Sequence, residues 1–506
     1  MLSLCKSVKV SSILSRHSTQ IVNKDVLAKT IELCRKRNVI IPTYEQMFNP
    51  KLVPKGIVNE LKSIGLWDVN PRNLFRITWK NEPKEFGGGF GETNYLEIPK
   101  EISGIDAKIV VLVGKYFPTG SHKVGATFGP LVEKMVRGSF DPTSQKALWP
   151  STGNYCRGGA FNSSLLGCKA IAVLPEGMSQ ERFDWLNSIG SEIYGTPGTE
   201  SNVKEVFDKT HALKAEMGDN LVVLNQFAEF GNPMWHYAVT ARTIEELYNN
   251  IKGPKSRLSG LFLTQGSGGT LGCSMYLHQK YPNMKTGCGE ALQCPTLLEN
   301  GYGAHRIEGI GDKHVPWILN MRDMNAVIGV DDQDCVDLLR LFNEKDGKDV
   351  LLKKGVDRET IEKLSLFGIS SIANLLGSIK LAKYYEMDKD DVVFSIATDS
   401  AGMYQSRLKE MNQESGKYSN TLAHVHFNTG LMKQNVSNVL ELTHVGKRRC
   451  HQLKYYTWVE QQGKTVEELD RQWYDNEYWT EKLDQYKVWD TLINEFNDKA
   501  GIINKY

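Results

Sequence analysis

The chain has 506 residues, with 61 Lys and Arg against 59 Asp and Glu, so its formal net charge is only +2. That length supports a large core and two or three domains, and the balanced charge removes the electrostatic case for nucleic acid or acidic lipid as a partner. No apolar run approaches the roughly 20 residues that span a bilayer, so no membrane partner is predicted, and the composition is ordinary for a soluble globular protein.

The first 24 residues stand apart. They hold Lys6, Lys9, Arg16 and Lys24, six serines and no acidic residue before Asp25. This is the composition of a mitochondrial transit peptide and predicts the mitochondrial matrix. The alternative is a disordered basic terminus on a cytoplasmic protein. From Asp25 to about Glu101 the pattern is mixed, with a helical period over Val26 to Arg37. The glycine-rich run Phe86 to Gly91 follows no clear strand, so it reads as a loop and not a nucleotide site.

From about residue 107 strands and helices alternate. Ile109 to Val113 reads as a buried strand, followed by a helix that starts at Lys123, ends near Arg137 and contains Pro130, which predicts a kink. A short strand near Ala147 to Trp149 runs into the loop Ser151-Thr152-Gly153-Asn154-Tyr155, then a helix over Gly158 to Leu166. Ala170 to Leu174 and Leu221 to Leu224 are further strands; Ser179 to Ser188 and Trp235 to Tyr248 are helices. Leu261 to Thr264 is a strand that meets Gln265-Gly266-Ser267-Gly268-Gly269-Thr270. Such alternation predicts an α/β fold with parallel sheets, whose ligands sit beyond the carboxyl ends of the strands. Lys123, the asparagine loop and the glycine cup all fall at such ends.

After about residue 406 the chain changes character. Trp458, Trp473, Trp479 and Trp489 are too apolar to stay solvated, so this mainly helical extension is predicted to pack on the body or on a neighbouring subunit. Thr465-Val466-Glu467-Glu468 has the form of a capping box, and Lys447-Arg448-Arg449 reads as a solvated basic turn.

The nine cysteines form no Cys-x-x-Cys pair, and Cys288 and Cys294 are too far apart for a usual zinc knuckle, so no metal site is predicted. An odd, unpatterned set implies reduced thiols and an intracellular compartment. Cys156 beside the asparagine loop is either a redox-sensitive thiol or a buried small hydrophobe.

Lysine at a helix start beyond a buried strand is desolvated, which lowers its pKa and makes the amine nucleophilic. That suits a Schiff base, although a lysine bonded to its own loop would look the same. The cup supplies three glycines and two hydroxyls at a strand-to-helix turn, where free backbone N–H groups converge on an anion. A reactive lysine beside a phosphate cup suggests pyridoxal 5'-phosphate (PLP).

Over roughly residues 90 to 405 the sequence resembles the tryptophan synthase β-like family of PLP enzymes, fold type II, and is closest to its cysteine synthase branch. Ser121-His122-Lys123 is similar to the lysine motif of tryptophan synthase β, and Ser151 to Tyr155 resembles the substrate-carboxylate loop of cysteine synthases. The run Leu174 to Arg182, Asn225-Gln226-Phe227 with Asn232-Pro233, Gly309-Ile310-Gly311, Gly368 to Ser371 and Ser400-Ala401-Gly402 continue the match in order. Departures are Gly91 to Leu96 in place of a Thr-Pro-Leu motif, Tyr155-Cys156-Arg157 in place of small residues, and Asp399 before Ser400.

The resemblance implies two parallel-sheet α/β domains with PLP in the cleft. Residues 25 to 135 and 241 to 405 would form the large domain, 136 to 240 a small mobile one, and 406 to 506 the extension; a homodimer is the family expectation. It implies Lys123 as Schiff-base lysine and proton acceptor. Gly266, Ser267, Gly268, Gly269 and Thr270 would bind phosphate, with His122 beside it or bonded at the helix start. Asn154 would meet the ring oxygen, and Ser400 the pyridine nitrogen unless Asp399 does. Ser151, Thr152, Gly153 and Gln226 would hold the carboxylate of a small amino-acid substrate. Serine at the nitrogen favours loss of a β-leaving group, hence β-replacement or β-elimination on a serine- or cysteine-like amino acid through an aminoacrylate. The competing readings are a serine/threonine dehydratase and a catalytically idle structural subunit.

Overall fold

Among the described residues the chain forms eleven strands, the central ones built from apolar runs: β1 (Tyr95–Ile98), β2 (Lys108–Val113), β3 (Lys146–Pro150), β4 (Lys169–Pro175), β5 (Glu192–Thr196), β6 (Leu221–Val223), β7 (Arg257–Thr264), β8 (Lys285–Ala291), β9 (Ala326–Val330), β10 (Asp391–Ala397) and β11 (Val439–Glu441). The structure is a computed structural model that describes residues 21 to 506 apart from Thr152. The targeting segment expected over residues 1 to 24 lies almost wholly outside the described residues.

The strands make two sheets, one in the order β1-β2-β10-β7-β8-β9-β11 and one in the order β5-β4-β3-β6. The smaller sheet is parallel throughout. In the larger one β2, β10, β7, β8 and β9 run parallel, as the alternation predicts. Strands β9 and β10 are buried along their whole length, because helices cover both faces of a parallel sheet.

Both edges of the larger sheet depart from the expectation of a purely parallel array: β1 pairs antiparallel with β2, and β11 antiparallel with β9. An antiparallel neighbour needs no long crossover. The exposed side of β1 alternates with its buried side, as suits an edge strand. Strand β11 belongs to the extension, so that segment is mainly helical but also closes a sheet edge that would otherwise present unpaired backbone.

Helix Lys24–Lys36 begins two residues before its predicted start, because the Asn23 side chain caps the amides of Asp25 and Val26. Pro130 sits inside helix Lys123–Arg137 where the segment Gly231–Trp235 crosses it; a Cβ on Gly231 would lie 2.5 Å from Pro130 N. A residue with no N–H leaves no orphan donor at that close contact. The helix predicted from Trp235 continues through one π-helical turn, His236–Thr240, to Ile251.

The extension packs on the body, the first of the two arrangements expected for its aromatics. The Asn497 side chain bonds both the N and the O of Ile41 (3.0 and 2.8 Å), and Trp458 Nε1 donates to Val315 O (2.8 Å). Thr465 caps Glu468 N (3.1 Å), but the reciprocal half of the box is not made: the Glu468 carboxylate accepts from Tyr478 instead. Lys454 is fully buried, and its ammonium donates to Trp317 O (3.0 Å), Leu319 O (2.7 Å) and Gln472 Oε1 (2.7 Å).

Candidate active site

Every predicted site segment follows the carboxyl end of a parallel strand, as open α/β sheets require. Strand β2 leads to Lys123, β7 to the glycine cup, β10 to Asp399 and Ser400, β3 to the asparagine loop and β6 to Gln226. Lys123 is the first residue of its helix, and its Nζ donates to Ser267 Oγ (3.4 Å). The side chain keeps some surface along the cleft, yet burial of the amine lowers its pKa to about 8, against the opposing pull of Asp312 and Glu200. A neutral, nucleophilic amine is therefore accessible near neutral pH.

The cup is sterically committed to glycine. A Cβ on Gly266 would lie 2.8 Å from Gly309 O, one on Gly268 would lie 3.0 Å from Leu319 Cβ, and one on Gly269 would collide with the Asn232 carboxamide. Gly268 also has φ +74°. Asn232 Nδ2 donates to Ser267 Oγ (3.0 Å) and to Gln226 O (2.9 Å), tying the cup to the predicted substrate segment. Thr270 closes the cup, half-buried, before the short helix Gly272–His278.

Buried polar atoms without protein partners collect on these segments: Asn232 Oδ1, both ends of the Gln265 amide, Thr119 Oγ1, Ser370 Oγ and Asp312 Oδ2. Orphans of this kind are rare in a folded interior and mark a site built for a polar ligand. A cup that excludes side chains, beside an activated lysine, fits PLP.

At the other end of the cleft Asn154 opens helix Asn154–Leu166, and its Nδ2 donates to Asp399 Oδ2 (2.6 Å). Tyr404 donates to the same oxygen (2.8 Å), Arg182 Nη2 donates to Tyr404 Oη (3.3 Å), Arg182 pairs with Glu308, and Arg407 Nε reaches Glu308 Oε1 (2.6 Å). Burial raises the Asp399 carboxyl pKa, with Arg182 opposing it. Asp399 Oδ1 lies against Gly368, whose added Cβ would collide with it. Ser400 is nearly buried, with no side-chain cap bond at the turn it opens.

Ser151 Oγ accepts from Gly153 N (3.1 Å), and Gly153 has φ +155° where any side chain would strike Arg182. Thr152 lies outside the described residues. The helix-start bond expected as one option for His122 is not made: its ring is buried against Trp79 (5.6 Å) and His236 (5.0 Å), and burial holds it neutral. Cys156 is buried, donates to Gly153 O (2.9 Å) and has its pKa pushed up to about 12 by burial, so it is a small hydrophobe and not a reactive thiol. Arg157 is buried between Trp67 and Trp185, 5.5 and 5.1 Å from their ring centroids.

Sequence reading assigned no role to Asn232, Arg182, Glu200, Glu308, Asp312 or Tyr404. Asn232 and Arg182 lie in matched motifs, and Asp312 directly follows Gly309-Ile310-Gly311; Glu200 had no local signal.

Comparison with known proteins agrees with this geometry. The "Probable cysteine synthase" of Bacillus subtilis (strain 168) is 29% identical over 301 residues, 59% of this chain and 89% of the relative. The cysteine synthase of Staphylococcus aureus (strain Mu50 / ATCC 700699) is 27% identical over 317 residues, 62% of this chain and 93% of the relative. Among solved structures, cysteine synthase from Entamoeba histolytica superposes with TM-score 0.54 at 21% identity, over 67% of this chain and 93% of that one. A hydrogen sulfide-producing enzyme from Fusobacterium nucleatum gives TM-score 0.53 at 24% identity, over 69% and 95%. At those identities the structural likeness speaks for the fold. The family model described as "Pyridoxal-phosphate dependent enzyme" matches residues 88–352, more than half of the chain, which therefore belongs to the family of fold type II PLP-dependent enzymes.

Proposed function

We propose that this enzyme carries out β-replacement or β-elimination on a serine- or cysteine-like amino acid, with cysteine synthase-like chemistry as the specific reading. The observation that carries it is the Lys123 amine, held at about 8 and hydrogen-bonded to the cup residue Ser267. Gly266, Ser267, Gly268, Gly269 and Thr270 would hold the phosphate. Asn154 and Ser400 would meet the ring, and Ser151, Thr152, Gly153 and Gln226 the substrate carboxylate. PLP, when bound, takes up the electron density released at the substrate Cα.

Lys123 Nζ removes the Cα proton and returns a proton later in the cycle. Asp399 commits Oδ2 to Asn154 and Tyr404, while its buried Oδ1 beside Gly368 has no hydrogen-bond partner, so Ser400 is our reading for the partner of the pyridine nitrogen and Asp399 the alternative. A neutral partner there favours departure of a β-substituent over transamination. The Arg182–Glu308–Arg407 contacts link the helix after β4 to the segment after Ser400, and such closure would keep water from the reacting carbons.

The test is visible absorbance of the purified, PLP-loaded chain titrated with serine, O-acetylserine, cysteine and threonine. A band shift with serine, O-acetylserine or cysteine supports the proposal. A response to threonine alone would replace it with a dehydratase, and no response to any would overturn it.

A further inference from the structure

The basic triplet Lys447-Arg448-Arg449, expected as a solvated turn, lies inside helix His444–Gln452 of the extension, which carries no acidic residue. Helix Val466–Tyr474 lies beside it and is its electrostatic opposite, with Glu467, Glu468 and Asp470 against the single cation Arg471. The two run antiparallel. The His444 ring at the start of the first meets Trp473 near the end of the second (5.3 Å), and His451 Nε2 at the end of the first donates to Leu469 O near the start of the second (3.1 Å). Both helices lie outside residues 88–352, the stretch that matches the family.

A cavity of about 690 Å³ opens between these helices. Its walls expose Val445 (75%), Tyr474 (61%), Tyr456 (60%), Val466 and Tyr455. Single exposed apolar residues are ordinary, but a cluster of them rimmed by charges marks a surface that another molecule covers. Two cations of the basic helix are already engaged within the subunit. Lys447 donates to Arg322 O (2.9 Å), and Arg449 donates to Leu297 O (2.6 Å) and to Asn300. Arg448 and Asp470 line the cavity, one from each helix, and make no hydrogen bond or ion pair among the described residues. Arg448 stacks on Tyr474, 5.6 Å from its ring centroid.

We propose that the cavity between these helices is a self-association surface, on which a second copy of this chain docks about a two-fold axis. The pattern of charge chooses this occupant. An acidic partner would meet Arg448 but also the acidic wall, and a basic one would meet the reverse; a second copy satisfies both walls. A two-fold axis through the cavity sets each basic helix on the acidic helix of the other copy, so that Arg448 meets Asp470 of the partner subunit twice. Pairing like helices would set arginine on arginine, which is disfavoured. The exposed tyrosines then become the apolar centre of the interface, as aromatic anchors do. Nothing in this inference depends on the reaction, so its failure would leave the proposed function standing.

The experiment measures assembly mass by sedimentation equilibrium of the full-length, PLP-loaded chain. Wild type is expected to associate. Arg448→Glu and Asp470→Arg are each expected to weaken that association about a hundredfold, because either reversal creates two like-charge contacts. The mass then halves, whether a dimer falls to monomers or a tetramer that also uses another face falls to dimers. Mixing equal amounts of the two variants restores the wild-type mass, because each reversed residue again meets an opposite charge. Tyr456→Ala keeps the charges and removes an apolar anchor, and is expected to weaken association about tenfold. It serves if a reversal fails to fold, with far-UV circular dichroism and the PLP–lysine band as the check. A monomeric wild type would overturn the inference and leave the cavity to a different protein. A mass that none of the variants changes, or two reversals that each dissociate but do not recombine, would overturn it as well.

Discussion

At the cup end of the cleft Lys123 and Ser267 are surrounded by polar atoms with spare hydrogen-bonding capacity, among them Asn232 Oδ1 and the Gln265 amide. At the Asn154 end the side chains also engage one another, in a chain from Asn154 through Asp399, Tyr404, Arg182 and Glu308 to Arg407, which leaves Asp399 Oδ1 and Arg182 Nε without partners. Unmet capacity marks where a ligand supplies the missing partners. A continuous chain marks where parts of the fold hold each other in place. The cup is also backed from behind: Leu319 lies under Gly268, and buried Lys454 of the extension holds the Leu319 carbonyl.

The comparison breaks most sharply at Lys123. Lys123→Ala is expected to abolish the cofactor's covalent absorbance and lower turnover by about 10²- to 10⁴-fold, while far-UV circular dichroism stays unchanged. In the wild-type apo chain, the rate of PLP uptake should rise with pH and level off above about 8, because only the neutral amine attacks. A pH-independent rate would mean that the amine is not held near that value.

Arg182→Met attacks the other end. It leaves Glu308 buried with Arg407 as its remaining countercharge, and breaking a buried pair costs about 3 to 5 kcal/mol, read as a fall in denaturation midpoint with the PLP–lysine band retained. Gly269→Ala is a smaller insult with the opposite signature: the new methyl displaces Asn232, so PLP affinity drops by the equivalent of about 1 to 3 kcal/mol, measured by titrating the apo chain. Thr465→Ala removes the cap of the helix that carries Gln472, a partner of Lys454, and should cost about 1 kcal/mol of stability without changing PLP affinity. If Thr465→Ala weakened PLP binding as much as Gly269→Ala, the cup and its backing would be one unit.

Much of the site was legible because its pieces are local. A buried strand followed by Ser-His-Lys, and a strand followed by Gly-Ser-Gly-Gly-Thr, each carry their chemistry within a few residues, since a turn's backbone geometry dictates its own residue types. The Arg182–Glu308–Arg407 contacts and Asp399 with Tyr404 beside Asn154 were not legible. They join residues 99 or more positions apart, or depend on which face of a turn a side chain takes.

By itself the sequence determined the α/β alternation, the position of each site segment at a strand end and the glycine cup, because periodicity and steric demand act over short range. Only the tertiary structure decided that β1 and β11 close the large sheet antiparallel, that Lys454 backs the cup and that His122 is a packed, neutral ring. It also set the charges of Asp312 and Glu200 where they oppose loss of the Lys123 proton. Those outcomes depend on burial and on the fields of distant groups, which exist only once the chain has folded.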